Sequence, residues 1–331
     1  MPARNLSNAN LALQLQPIGE RSIRAYAERK LAQKKAALGG APGRETTPGP
    51  AGLIGSNGRF YREYEHGSLF YDNNADPIYV YGAIGVRYRQ LGGPRSWLGW
   101  PTSNELDFVE GGRLSKFERG TIYWWPDTGA IELGNVAVRY RGLRCFGETD
   151  ELSDSDEPYV LLTATPPSPD DTLRTRTRIY DDVDAGEARP DTIELYRGLP
   201  FGLSVGIVLM EHDLADPDKY RDTIKGAVAG ASAAVTAATT AIPGVGLVLG
   251  PVAGAALMAV HEDIVDAING LVGGSPDRIG TVGLDITPKQ MVTMTRATRH
   301  DYNGVQYHLE SPLINEREGA TYKVYFDIER V

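Results

Sequence analysis

Residues 58–145 repeat themselves. Gly58-Arg59-Phe60 returns as Gly112-Arg113-Leu114, and Val86-Arg87-Tyr88-Arg89 returns as Val138-Arg139-Tyr140-Arg141. The offsets are 54 and 52 residues, so one small deletion separates the copies. Such a repeat predicts two copies of one supersecondary unit. Each copy reads as short aromatic strands, a turn, and a short amphipathic segment. The turn signals are Asp72-Asn73-Asn74 and Pro126-Asp127-Thr128-Gly129.

All four tryptophans, Trp97, Trp100, Trp124 and Trp125, fall within 29 residues, with Tyr123 among them. Sugars present apolar C–H faces that stack on indole and phenol rings, while polar neighbours fix the hydroxyls. The five rings are candidate glycan contacts; the competing reading makes most of them core. On a strand, Trp124 and Trp125 point to opposite sides. One of the two then builds the core and the other stays accessible.

The same stretch resembles the LGFP repeat family. Leu98-Gly99-Trp100-Pro101 matches its Leu-Gly-aromatic-Pro core, with Trp100 where the family has Phe. Phe117, Gly120, Ile122-Tyr123-Trp124 and Thr128-Gly129-Ala130 follow at the family's spacing. The resemblance covers one full unit and a degenerate half upstream, about a quarter of the chain. It implies an exported envelope protein held to bacterial cell-wall glycan.

Charge is uneven along the chain. The net charge is −9, yet residues 1–44 carry +6, which leaves −15 on the rest. An acidic body argues against bulk nucleic-acid binding, which needs a basic face. Residues 20–38 predict a helix, with Ile23, Ala27 and Leu31 on one stripe and basic residues on the other. This basic arm is either a solvated or docked helix or an address for a secretion or injection machine. Residues 39–57, rich in Gly, Pro and Thr, read as a linker. No apolar run follows Met1, so any export is expected by a non-classical route.

The rest of the chain predicts strands at 136–144, 158–165, 174–180, 191–197, 203–210 and 320–328. Short strands with regular turns suggest an antiparallel sandwich. Two acidic loops, 147–162 and 208–220, interrupt them and resemble the calcium loops of C2 domains. That resemblance implies Asp150 and Asp156 as ligands before Pro158-Tyr159-Val160, then Glu211 and Asp213, and a last carboxylate from Asp216 or Asp218. Ile279-Gly280 would open the next strand, making residues 222–276 an insertion. Clustered carboxylates suit Ca2+, which takes six to eight oxygens. The alternative is acidic loops that are only solvated.

Residues 226–260 hold no charged side chain. Gly246, Gly250 and Gly254 form overlapping GxxxG units, which let helices approach closely. Pro243-Gly244 marks a bend, so residues 224–270 predict a helical hairpin. Each arm is shorter than the roughly 20 residues that span a bilayer. The hairpin is either packed in the fold or stored for insertion into an anionic lipid membrane. No catalytic signature stands out: G-x-S-x-G, H-E-x-x-H, P-loop and Rossmann patterns are absent from the sequence. One cysteine, Cys145, excludes an intramolecular disulfide.

The expected architecture is mainly β with α. It comprises a basic helical tail and linker at 1–57, an LGFP-like module at 58–140 and a C2-like antiparallel sandwich at 141–331. The expected function is non-catalytic binding of cell-envelope glycan, with a C2-like second contact that calcium would load. The alternative is a membrane-inserting, pore-forming effector or toxin.

Overall fold

Helix α1, Asn8–Ala37, covers all but the last residue of the helix expected at 20–38 and starts earlier. Lys34 and Lys35 sit in its last turn, where cations complement the helix dipole. The structure, a computed structural model, describes residues 8–73, 75–149, 156–212, 239–249 and 278–331. Ala27 and Leu31, spaced four apart, are fully buried. They pack on Leu53, Phe60, Tyr64, Leu69 and Tyr71. These belong to an antiparallel meander of β1 (Leu53–Ser56), β2 (Arg59–Tyr64), β3 (Gly67–Asp72) and β4 (Ile78–Tyr81). The basic helix expected as a tail is therefore one wall of the first core.

A second helix and meander follow. Helix α2, Gly82–Gln90, precedes β5 (Leu106–Asp107), β6 (Arg113–Phe117), β7 (Gly120–Trp125) and β8 (Gly129–Leu133). Ile84 and Tyr88, again four apart, are buried with Phe70, Val80, Leu98, Trp100, Phe117 and Ile122. Each meander is thus packed against the helix before it. The repeated unit is helix then strands, whereas the sequence pattern suggested strands then an amphipathic segment.

The backbone shows the same order. In the second copy Thr102 N donates to Lys116 O, Glu118 N to Trp100 O and Arg119 N to Leu98 O. In the first, Thr46 N donates to Glu63 O, Glu65 N to Arg44 O and His66 N to Pro42 O. Pro42-Gly43-Arg44-Glu45 is therefore the counterpart of Leu98-Gly99-Trp100-Pro101, and the stretch expected as a linker is part of the first copy. Gly43 and Gly99 have φ of +78° and +74°. A Cβ there would also lie 2.8 Å from Glu65 Oε2 or 2.3 Å from Glu118 Oε2, so only glycine fits without strain.

The repeated Val-Arg-Tyr-Arg adopts two conformations. Residues 86–89 are helical in α2, and residues 138–141 are extended in β9, Val136–Gly147. In α2, Tyr88 is buried and Arg87 pairs with Glu132 at 2.6 Å, while Val86 is exposed. In β9, Val138 and Tyr140 are buried in alternation with half-buried Arg139 and Arg141. Packing, not the tetrapeptide, selects the backbone.

The chain divides into two units, Met1–Asp107 with Gly112–Glu132, and Phe108–Gly111 with Leu133–Val331. The second unit carries two four-stranded antiparallel sheets. One is ordered β12 (Ala188–Gly198), β9, β20 (Thr321–Arg330), β19 (Leu309–Glu310). The other is ordered β11 (Leu173–Arg176), β10 (Pro158–Thr165), β13 (Leu203–Glu211), β16 (Arg278–Ile286). The β-rich, antiparallel character expected from the alternation is present. Strands β10 and β13 are buried at every position, so both of their faces are covered. Helix α3, Pro288–Met294, starts at a capping box in which Thr287 and Gln290 exchange side-chain and backbone bonds.

Within the expected helical hairpin, residues 239–249 are a β-hairpin instead. Strands β14 (Thr239–Ile242) and β15 (Gly246–Leu249) flank the Pro243-Gly244 turn. The bend falls where expected, but Thr239, Thr240 and Val248 are β-branched and favour the extended chain. Gly246 lies in β15 with open space where a Cβ would be, so it makes no close helix contact. Gly250, Gly254 and the remainder of 224–270 lie outside the described residues. Among the described residues, no helix is long and apolar enough to cross a membrane.

Candidate functional site

The Leu98-Gly99-Trp100-Pro101 turn is clamped onto the tight β6–β7 turn at Glu118-Arg119. Pro101 bridges Phe117, and the Glu118 carboxylate accepts from Trp100 N at 3.1 Å. Tyr88 Oη donates to Gly99 O at 2.6 Å, tying α2 to the same turn. The bond from Trp100 N holds the Glu118 carboxyl below its ordinary range, and Arg59 at 2.7 Å adds to the effect. Arg59 also pairs with Asp72 at 2.9 Å and lies 5.7 Å from the Trp100 ring centre.

This clamp presents Trp97. Arg119 donates from Nε to Trp97 O and from Nη2 to Ser96 O, which locks the backbone under the indole. The indole rests on Gly120, where an added Cβ would lie 2.7 Å from its Cη2. The Cη2–Cζ3 end of the ring is therefore against the protein, while the residue remains 45% exposed. An aromatic held this way is pre-organised for stacking, because its rotamer entropy is already restricted before a ligand arrives.

The other four rings are placed differently. Trp100 is buried among Tyr61, Phe70 and Arg59. Tyr123 and Trp125 are fully buried on one face of β7, stacked at 6.3 Å between ring centres. Trp124, on the opposite face, is half-buried against the second core and lies opposite Arg113 across β6. Arg113 pairs with Asp107 and lies 3.7 Å from Glu105, which accepts from Tyr81 Oη at 3.0 Å. The alternation predicted for Trp124 and Trp125 is observed, with Trp125 as the core partner. Trp100, Tyr123 and Trp125, expected as glycan contacts, are all buried in the fold. The composition pattern missed Arg59, Glu118 and Arg119, whose roles depend on the turn that brings them to residues 96–100.

Of the carboxylates expected to hold calcium, Asp150, Asp213 and Asp218 lie outside the described residues. Asp156 is buried and occupied by the protein: it accepts from Thr149 N and Oγ1, the latter at 2.7 Å, and from Tyr322 Oη. Glu211 is buried and accepts from Glu157 N at 2.6 Å. Both acids thus serve as internal acceptors for backbone and hydroxyl donors. Among the described residues, no group of three or more His, Cys, Asp or Glu is arranged to hold a metal ion.

Comparison with curated proteins finds no match to the chain. Residues 98–144, which begin at the clamped turn carrying the Trp97 platform and run through β5–β8 into β9, match the LGFP repeat family.

Proposed function

We propose that this protein is a non-catalytic binding protein that recognises a bacterial cell-envelope glycan through the clamped turn of its second repeat. The observation that carries the reading is Trp97, whose indole is held against Gly120 while the residue remains 45% exposed. The match of residues 98–144, which begins one residue after Trp97, to the LGFP repeat family supports a binding role for this module. In this reading Trp97 stacks on the apolar face of a sugar ring. Arg119 keeps the platform rigid, and Arg59, Asp72 and Glu118 supply polar groups on the same repeat pair. The half-buried edge of Trp124, beside Arg113 and Glu105, forms a secondary contact.

The test is sedimentation of the full-length protein with isolated bacterial cell walls. Trp97→Ala is expected to weaken binding by at least about tenfold, as for an anchoring aromatic, with an unchanged melting temperature. Unchanged binding in a folded Trp97→Ala protein would sink the assignment.

A further inference from the structure

Equivalent positions in the two copies differ in charge. The shared hydrogen-bond register pairs Glu45 with Pro101, Arg62 with Ser115 and Tyr64 with Phe117. The second copy builds its turn and sheet at these positions without charge. In the first, Arg62 is only 5% exposed and donates to Glu28 Oε1 at 3.0 Å, Glu45 Oε2 at 2.8 Å and Gly49 O at 3.0 Å. Desolvating ions is costly, and well-packed uncharged replacements are often neutral or stabilising. The backbone of the repeat therefore does not itself require charge at these positions.

The charges also line a cavity of about 430 Å3 between α1 and the first meander. Ala32 and Ala36 line it from the helix and Tyr64 from the sheet. Each carboxylate spends one oxygen on Arg62. Lys35 Nζ stands 3.9 Å from the other oxygen of Glu45 and 4.8 Å from the Tyr64 ring centre. Glu28, Glu45 and Lys35 are all partly exposed, so an anionic and a cationic station open onto one cavity.

We propose that this cavity binds a small zwitterion of the amino-acid or short-peptide class. Its ammonium pairs with Glu28 and Glu45, its carboxylate with Lys35, and its aliphatic part lies on Ala32, Ala36 and Tyr64. The volume is in the range of small-molecule sites. The cavity shares no residue with the Trp97 platform, so the inference stands independently of the glycan reading.

The experiment is calorimetric titration of the full-length protein with alanyl-alanine and with its N-acetylated, C-amidated form. The free dipeptide is expected to bind and the capped, uncharged form is not. Glu28→Gln and Lys35→Met are each expected to weaken the dipeptide by about tenfold. Glu28→Gln also lowers the melting temperature, because Arg62 loses a carboxylate partner, so Lys35→Met, at a partly exposed residue, is the variant expected to leave it unchanged. Trp97→Ala, which tests the glycan reading, is expected to leave dipeptide binding intact. Absence of dipeptide binding, equal binding of the capped form, or full binding in both cavity variants would each overturn the proposal.

Discussion

Gly99 shows how much one residue decides in this protein. Its positive φ strains any side chain, and a Cβ would have to displace the Glu118 carboxylate, 2.3 Å away. Gly99→Ala is expected to cost about 1–3 kcal/mol in urea unfolding, from backbone strain and displacement of Glu118. Asp156 makes a different point. It reads as a calcium ligand in sequence, but in the fold it accepts from Thr149 and Tyr322. Asp156→Asn is expected to cost about 1–3 kcal/mol, equally with calcium or chelator present, because internal donors lose a charged acceptor. A loss of stability seen only with calcium would instead make Asp156 a ligand. Burial pushes the Cys145 thiol up to about 11, so the native protein is expected to resist thiol reagents at neutral pH and to react on unfolding. At this scale Gly99 and Gly120 were legible, because they belong to a spaced motif. The contrast between open Trp97 and buried Trp125 was not, because exposure depends on what packs against each ring.

Among elements, the two Val-Arg-Tyr-Arg segments give a direct comparison. Val86 is exposed on α2, where alanine is the better helix former; Val86→Ala is expected to be neutral or stabilising by up to about 0.5 kcal/mol. Val138 is fully buried in β9, and Val138→Ala is expected to cost about 2 kcal/mol from lost burial and the space left behind. Equal effects in thermal unfolding would contradict the two packing environments. Helix α1 is the second case. Its periodicity announced a helix, and Ala27 and Leu31 of the expected stripe are buried while Ile23 is exposed. That the stripe closes the first core was hidden, because the sheet it covers is formed by residues 53–81. Leu31→Ala is expected to cost about 2–4 kcal/mol, where a detached arm would show no loss.

For the whole molecule, acid sensitivity follows from the duplicated clamp. Trp100 N–H on Glu118 and Arg44 N–H on Glu65 both hold their carboxyls below the ordinary value of 4.5. A depressed folded-state value stabilises the protein above the unfolded-state value, and that contribution disappears as pH falls through the folded-state value. The urea midpoint is therefore expected to drop below about pH 4.5, and a Glu65→Gln/Glu118→Gln protein to show a shallower drop. An unchanged pH profile in the double variant would remove the clamp as its source.

Periodicity, β-branching and the aromatic motif were enough to mark the N-terminal helix, most of the long strands and the repeat that matches a known family. These signals are local, carried by residues that meet within one helix turn or one tight turn. The starting point of the repeat, the opposite conformations of one tetrapeptide, and the fate of each tryptophan came only with the assembled fold. Each depends on contacts between segments tens of residues apart, such as α1 on β2 and β3 or Tyr322 on Asp156. Burial and charge pairing are properties of those contacts, and no stretch of the chain carries them alone.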